Sequence, residues 1–479
     1  MTIIRQHRGL VGALALLAAV PAAAEPSVAE LQRQIDELKA MVAELKAAAG
    51  RPPAAAPVAQ ATAPAAAQVA PLAPVAVASV PAAPAAAQPA IVLTPPRRKP
   101  WYEKLTLRGY TQLRLNEIVS GDATAPAGMS RLRSIGDGNI TDRNNFSFRR
   151  IRLILQGDLN DHVSLYLQPD FATAVSNQSA NERREGFGQL RDAYVDWFPL
   201  KDHSLRLRFG QSKVPFGWEN LQSSSARLAL DRTDGINTAV PTERDLGVVA
   251  YYTPAQVQLI WDRLAADGQK LFGNYGAFGL ALYNGQGTNR TEANNGLMFV
   301  AMATWPFALD GLGLDGQVLE VGGAIMRNRV QPEIRTGGVS PLSYADNRVG
   351  IHAMLYPQPI GFQAEWNWGT GPQWDDVTRS IQERPIEGGY VQAMGRVKHS
   401  PLGPFMPFAR WQHYRGGFKA GINAPRLETD ELELGIEFQP TPPLELTLTY
   451  GRAKRREADE RRSGRAEGDI LRAQLQWNY

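Results

Sequence analysis

Ile470-Leu471-Arg472-Ala473-Gln474-Leu475-Gln476-Trp477-Asn478-Tyr479 ends the chain and decides its fold. Leu471, Ala473, Leu475, Trp477 and Tyr479 share one face of a strand; Arg472, Gln474, Gln476 and Asn478 share the other. Side chains of a strand alternate with period two, so one face is apolar and the other polar. The same alternation recurs from Trp101 onward. A closed barrel with lipid outside and water inside satisfies both faces at once.

Working outward, sixteen segments carry the pattern: 104–115, 146–158, 162–170, 189–198, 204–211, 245–253, 276–284, 297–307, 317–327, 347–356, 360–369, 388–398, 405–414, 430–439, 444–452 and 470–479. A seventeenth alternation, Val257, Leu259 and Trp261, would give an odd count. Single-chain bacterial barrels have an even number of strands, so residues 254–275 are assigned to a long periplasmic turn or a local hairpin. If strand one runs outward, the periplasmic turns are short: Asn160-Asp161, Pro199–His203, Ala308–Gly316, Pro357–Pro359, Ser400–Pro404 and Thr441–Pro443. The outward connections are longer, namely 116–145, 171–188, 212–244, 285–296, 328–346, 370–387, 415–429 and 453–469. Trp101, Trp197, Tyr252, Trp305, Phe307, Tyr356, Phe438, Trp477 and Tyr479 fall at the periplasmic strand ends, where aromatic belts form.

The first hundred residues differ in kind. Residues 1–24 read as a signal peptide: Arg5 and Arg8, the apolar run Leu10–Val20, then Ala22-Ala23-Ala24. Residues 25–49 read as a short α-helical coiled coil, with Val28, Leu31, Ile35, Leu38, Val42 and Leu45 spaced 3-4-3-4-3. Residues 50–100 form an Ala/Pro linker in which twelve prolines stop helix propagation. Extended, it would reach on the order of 150 Å, a periplasmic spacer. The fold class is therefore all-β: a 16-stranded antiparallel transmembrane β-barrel over 101–479, preceded by that helix.

Composition narrows the function classes. The chain holds no cysteine, which excludes disulfides and thiolate metal sites. A mean hydropathy of −0.28 is too polar for a helical membrane protein. The net charge of +4 arises before residue 101; residues 101–479 carry 42 bases and 42 acids. Nucleic acid is thus not an expected partner, and any selectivity depends on where charges sit. Enzyme chemistry finds no footing: the six histidines are scattered, and neither H-E-x-x-H nor G-x-S-x-G occurs. Gly311, Gly313 and Gly316 fit G-x-G-x-x-G, but no βαβ unit surrounds them. No cofactor or metal is expected.

Alternation assigns the lumen. Arg108 and Arg114 share a face on strand one, Arg150 and Arg152 on strand two, and Arg206 and Arg208 on strand five. Arg396, Lys398, Arg410 and Arg472 follow on later strands. An arginine on the lipid face at mid-membrane costs about 2–4 kcal/mol, so these side chains face water. Asp192, Asp196, Glu431, Glu433, Glu437 and Glu445 also point inward. Strands sixteen, one and two are basic and strands fourteen and fifteen acidic, which would set a transverse field across the lumen.

Phe148-Arg149-Arg150-Ile151-Arg152-Leu153, Leu190-Arg191-Asp192-Ala193-Tyr194-Val195-Asp196, Phe209-Gly210-Gln211-Ser212-Lys213-Val214-Pro215-Phe216-Gly217 and Arg244-Asp245-Leu246-Gly247-Val248 resemble the phosphate-selective porin O and P family. The resemblance covers roughly 101–479. It implies a trimeric outer-membrane channel whose loop after strand five folds inward and whose basic residues attract anions. Here that loop is 212–244, with Lys213, Arg227, Arg232 and Arg244 beside Glu219, Asp231, Asp234 and Glu243. The expected anion path is Arg108, Arg114, Arg150, Arg152, Arg206, Arg208, Lys213, Arg227 and Arg232. The expected function is passive diffusion of small hydrophilic solutes, anions such as phosphate or polyphosphate foremost. The alternatives are a barrel tethering the outer membrane to peptidoglycan through its periplasmic N-terminal segment, and a non-selective or cation-preferring general porin. Outer-membrane lipid and a homotrimer are the expected partners.

Overall fold

The computed structural model describes residues 100–121, 128–130, 132, 134–140, 145–174, 185–273, 275–401 and 403–479. The signal peptide, the coiled coil and, up to Lys99, the linker lie outside the described residues.

Sixteen strands close into one antiparallel barrel. The first nine are β1 (Leu105–Ser120), β2 (Asn145–Asn160), β3 (Val163–Ala174), β4 (Glu185–Trp197), β5 (Leu205–Lys213), β6 (Arg244–Tyr252), β7 (Phe278–Tyr283), β8 (Met298–Ala308) and β9 (Val318–Arg327). Two short strands, β10 (Arg329–Val330) and β11 (Tyr344–Ala345), pair with each other outside the barrel. The barrel resumes with β12 (Asn347–Leu355), which pairs β9, then β13 (Ile360–Asp375), β14 (Ser380–Gly395), β15 (Phe405–Gly417), β16 (Arg426–Thr441), β17 (Leu444–Ala458) and β18 (Arg465–Asn478). Closure is between β1 and β18, with Leu113 opposite Leu475 and Thr111 opposite Trp477.

The alternation holds on the closing strand: Leu471 is 46% exposed on the outer face and Arg472 6% exposed inside. Beyond the membrane the strands run on. Residues 370–387, expected as a loop, are mostly the paired ends of β13 and β14, joined by a turn at 376–379. β17 and β18 extend likewise into 453–469.

Residues 254–275 are neither a plain turn nor a hairpin. They begin with a helix, Ala255–Ala266, whose Val257, Trp261 and Leu264 are buried while Leu259 is exposed. The burial follows the 4-then-3 spacing of a helix face rather than the period of a strand. Two more helical turns lie in the loop after β5, Trp218–Leu221 and Asp234–Ala239. In chain order these three are α1 (Trp218–Leu221), α2 (Asp234–Ala239) and α3 (Ala255–Ala266).

Candidate solute pathway

The loop between β5 and β6, residues 214–243, folds into the barrel and crosses it. Lys213 at the end of β5 donates from Nζ to the carbonyls of Asn220 (2.9 Å), Leu221 (3.3 Å) and Gln222 (2.6 Å). It thereby satisfies the orphan carbonyls at the end of α1, where a cation is also favoured by the peptide dipoles. At the other end of α1 the amides of Trp218 and Glu219 donate to Glu365 of β13, at 2.8 and 3.0 Å. The loop then returns to the β1–β18 seam. There Ser224 meets Tyr110 and Arg152, and Asp231 takes bonds from Arg114 (2.8 Å), Arg149 (3.1 Å) and Arg472. α2 next packs on the opposite wall. A Cβ on Gly235 would lie 2.9 Å from the Gly388 carbonyl carbon, so helix and strand backbones touch and only glycine fits.

Two plug carboxylates, Asp231 and Glu243, are fully enclosed. Burial alone would push Asp231 up, yet Arg114, Arg472 and Arg149 hold it well below its ordinary value. Glu243 behaves alike, with Lys213, Arg227, Arg244 and Arg232 overriding its burial. Both are charged at neutral pH, and each anchors the plug to a basic wall.

A second segment enters from the periplasmic end. After α3 the chain runs across the mouth, where Asp267 pairs Arg396 (2.6 Å) and Lys398 (2.5 Å). Lys270 pairs Glu437 of β16 (2.8 Å) and Glu445 of β17 (3.5 Å). Val257, Trp261, Leu264 and Phe272 of this segment pack with Phe216, Trp218 and Leu221 of the plug. They rest on apolar inward residues such as Val300, Met354 and Met394. Plug and strap together fill the lumen on the β8–β15 side. Tyr356, expected in the outer aromatic belt, is completely buried in this interior instead and donates to Glu320 at 2.9 Å.

Open space remains along the wall formed by β1–β6. Toward the long loops lies a cavity of about 200 Å³ bordered by six arginines, Arg149, Arg150, Arg152, Arg191, Arg227 and Arg232, against three carboxylates, Asp170, Asp231 and Glu243. Toward the short turns lies a cavity of about 660 Å³, bordered by Arg108, Arg152, Arg206, Arg208, Lys213 and Arg244 among others. Arg152 belongs to both. Between them stands a belt of ion pairs: Arg152 to Asp170 (2.8 Å) and Arg244 to Asp192 (2.8 Å) and to Glu243.

Of the nine residues expected on the anion path, eight border these cavities. Arg114 does not. It is 1% exposed and spends its guanidinium on Asp137, Asp231, the Leu230 carbonyl and Gln474, so it braces the plug against the seam. Lys213 borders the larger cavity, but its amine hydrogens are spent on three carbonyls and it offers none to a solute. Arg232 is similarly engaged with Asn220, Val240 and Pro241. Arg150 differs. It donates to Gln112 Oε1 at 2.7 Å, and its Nε finds no partner among the described residues. Arg227 bonds Glu243 through Nη2 and keeps Nε and Nη1 unpartnered among the described residues.

The acidic wall expected across the lumen is not open to these cavities. Glu433 pairs Arg410 at 2.7 Å, Glu431 pairs Arg455, and Glu437 pairs Lys270 behind plug and strap.

Arg149, Arg191 and Arg244 also border these cavities and were absent from the expected set. Arg149 is the extra residue of a bulge on β2, between the pairs Gln112–Arg150 and Leu113–Phe148. Arg191 is the extra residue of a bulge on β4, between Gln168–Asp192 and Pro169–Leu190. A bulge puts two residues opposite one and re-aims a side chain that strict parity assigns to lipid. The signal was the cost itself: an arginine assigned to the lipid face marks a place where the parity breaks.

Residues 127–479 match the family described as phosphate-selective porin O and P. No curated protein matches the chain. Among solved structures it is similar to an anion-selective porin from Comamonas acidovorans, with 11% identity, 78% of this chain and 99% of that one covered, and a TM-score of 0.46. It is also similar to Salmonella typhi OmpF in complex with daunomycin (12% identity, 79% and 98% covered, TM-score 0.48) and to OmpT of Vibrio cholerae in a trimer form (9%, 78% and 99%, TM-score 0.45). With its closed sixteen-stranded barrel and a family match over some three quarters of its length, this chain belongs to the phosphate-selective porin O and P family of outer-membrane channels.

Proposed function

We propose that the channel passes small hydrophilic anions, phosphate or polyphosphate among them, by diffusion along the β1–β6 wall. The observation that carries this is the smaller cavity, where six arginines outnumber three carboxylates. Guanidinium groups suit oxyanions because their donors form a planar fork. The paired arginines below keep the path positive without holding an anion so tightly that it cannot leave.

The test is the reversal potential of purified protein in planar bilayers across a KCl gradient, where a chloride-selective value is expected. Arg150→Gln removes one charge that is not ion-paired among the described residues. At about 5 Å from a passing anion and in a water-like dielectric, that charge is worth about 0.8 kcal/mol, so the chloride-to-potassium ratio should fall about fourfold. A potassium-selective wild type would replace this reading with that of a cation-preferring general porin.

We infer from sequence that residues 1–24 direct export, residues 25–49 form a periplasmic coiled coil, and residues 50–100 space it from the barrel of a homotrimer. In the alternative reading, the barrel tethers the outer membrane to peptidoglycan through that segment. A chain lacking 25–100 should still yield conducting trimers while the cell envelope blebs. An intact envelope would remove the tether, and a monomer from the full chain in detergent would remove the trimer.

A further inference from the structure

The larger cavity carries planar side chains that a pathway for inorganic anions does not require. Tyr166 of β3 and Tyr194 of β4 stand opposite each other, rings parallel within 5° and 5.0 Å apart. That separation is close to the spacing of neighbouring strands, so the ladder itself stacks the rings. From β5, Arg208 lays its guanidinium 3.7 Å from the Tyr194 centroid, and Tyr275 approaches the same guanidinium at 5.4 Å. All four border the cavity of about 660 Å³, and the three tyrosines are only half buried.

Arg208 is not available to a solute charge, since Asp196 takes two bonds from it, both at 2.8 Å. On the other side of the stack the situation is reversed. Gln156 of β2 stands opposite Tyr166 and accepts from Arg108 Nη2 at 3.1 Å. Arg108 is exposed to the cavity and its bond is to a neutral amide. Among the described residues no second ring covers the β2-facing side of Tyr166. Gln156 stands between them, so a ring face and a cation with no ion pair among the described residues border one cavity, the pairing that fixes a flat ligand with one charged end.

The geometry points to a subsite for planar aromatic carboxylates, the ring stacking on Tyr166 and the carboxylate meeting Arg108. This rests on the anion-passing reading above and extends it to a second solute class. Inorganic phosphate, having no flat face, gains nothing from the tyrosines.

The test compares benzoate with cyclohexanecarboxylate, equal in charge and similar in size, added on the periplasmic side of the full-length channel in planar bilayers. Benzoate should halve the chloride current at about a fivefold lower concentration, the advantage an offset-stacked ring pair confers. Tyr166→Leu should bring that ratio to one. Because the ratio is read within one variant, a change in overall conductance does not disturb it. Equal half-block concentrations in the wild type overturn the inference without relying on any variant, as does a fivefold ratio surviving in Tyr166→Leu. The KCl reversal potential of the same membranes separates the failures. A chloride-selective channel that blocks equally sinks the aromatic subsite alone, whereas a potassium-selective one sinks the anion reading beneath it.

Discussion

Replacing Glu320 with alanine should loosen both inserted segments at once. This carboxylate on β9 is wholly buried, and four neutral donors from four parts of the chain saturate it. Trp218 Nε1 of the plug (3.2 Å) and Thr304 Oγ1 of β8 (2.8 Å) donate to one oxygen. Trp261 Nε1 of α3 (3.0 Å) and the Tyr356 hydroxyl (2.9 Å) donate to the other. Removing the acceptor orphans both indoles and the Tyr356 hydroxyl, at about 1–3 kcal/mol for each that stays dry, and leaves a cavity, while Thr304 keeps His352 Nε2 at 2.9 Å. Allowing for relaxation, a loss of about 3–5 kcal/mol is expected, near the upper end for one substitution. Phe272 lies against both tryptophans, its ring 5.9 Å from Trp218 and 5.3 Å from Trp261, so plug and strap should move together. The measurement is single-channel current noise alongside thermal melting in detergent. Glu320→Gln should fall between wild type and alanine, because an amide offers one accepting oxygen in place of two. Wild-type noise and melting in the alanine variant would show that Glu320 is not the pin.

Excising residues 255–272 in favour of a short turn should raise conductance and weaken the proposed anion preference in the same channel. The strap covers the β12–β17 side of the periplasmic mouth, and Lys270 is the counter-charge of Glu437 and Glu445. Burial depresses the Lys270 ammonium, but the two glutamates outweigh it and hold it above its ordinary value, so the lysine is charged throughout the neutral range. Without it two carboxylates face a newly opened route. At about 5 Å each shifts the ratio of permeant ions by about 0.8 kcal/mol in a water-like dielectric, so the chloride-to-potassium ratio should drop about sixteenfold. The barrel wall is held by its own ladders, and the loss of Val257, Trp261 and Leu264, roughly 1.5–3 kcal/mol apiece, falls on the plug. A folded deletion variant with unchanged conductance and reversal potential would mean that the strap does not close that side.

Helix α3 shows how far local pattern reading reaches. Val257, Leu259 and Trp261 alternate like a strand, while Val257, Trp261 and Leu264 also fit a helix, and so short a run fits both periods. The punctuation favoured the helix: Pro254 stands immediately before it and Gly268, at φ +72°, just past its end. Arg149 and Arg191 show the complementary limit. Their bulges shift the register by one residue, and the outward apolar positions change parity across them, from Phe146 and Phe148 to Ile151 and Leu153 on β2 and from Leu190 to Ala193 and Val195 on β4, which a single unbroken alternation overlooks.

Alternation alone reveals the barrel, its sixteen strands and the basic wall of β1, β2 and β5, because lipid and water impose a period of two on the strands. It also shows which side chains point inward, except at Tyr356 and at the bulges that carry Arg149 and Arg191. Which of those border open space followed only from the folded chain. Arg108 and Arg150 open onto cavities, whereas Arg114, Glu433 and Glu437 are sealed behind a plug and a strap. Those segments fold back over distances that local alternation does not encode. Their resting places are fixed by burial of Trp218 and Trp261 around Glu320 and by ion pairs closed between residues far apart in the chain.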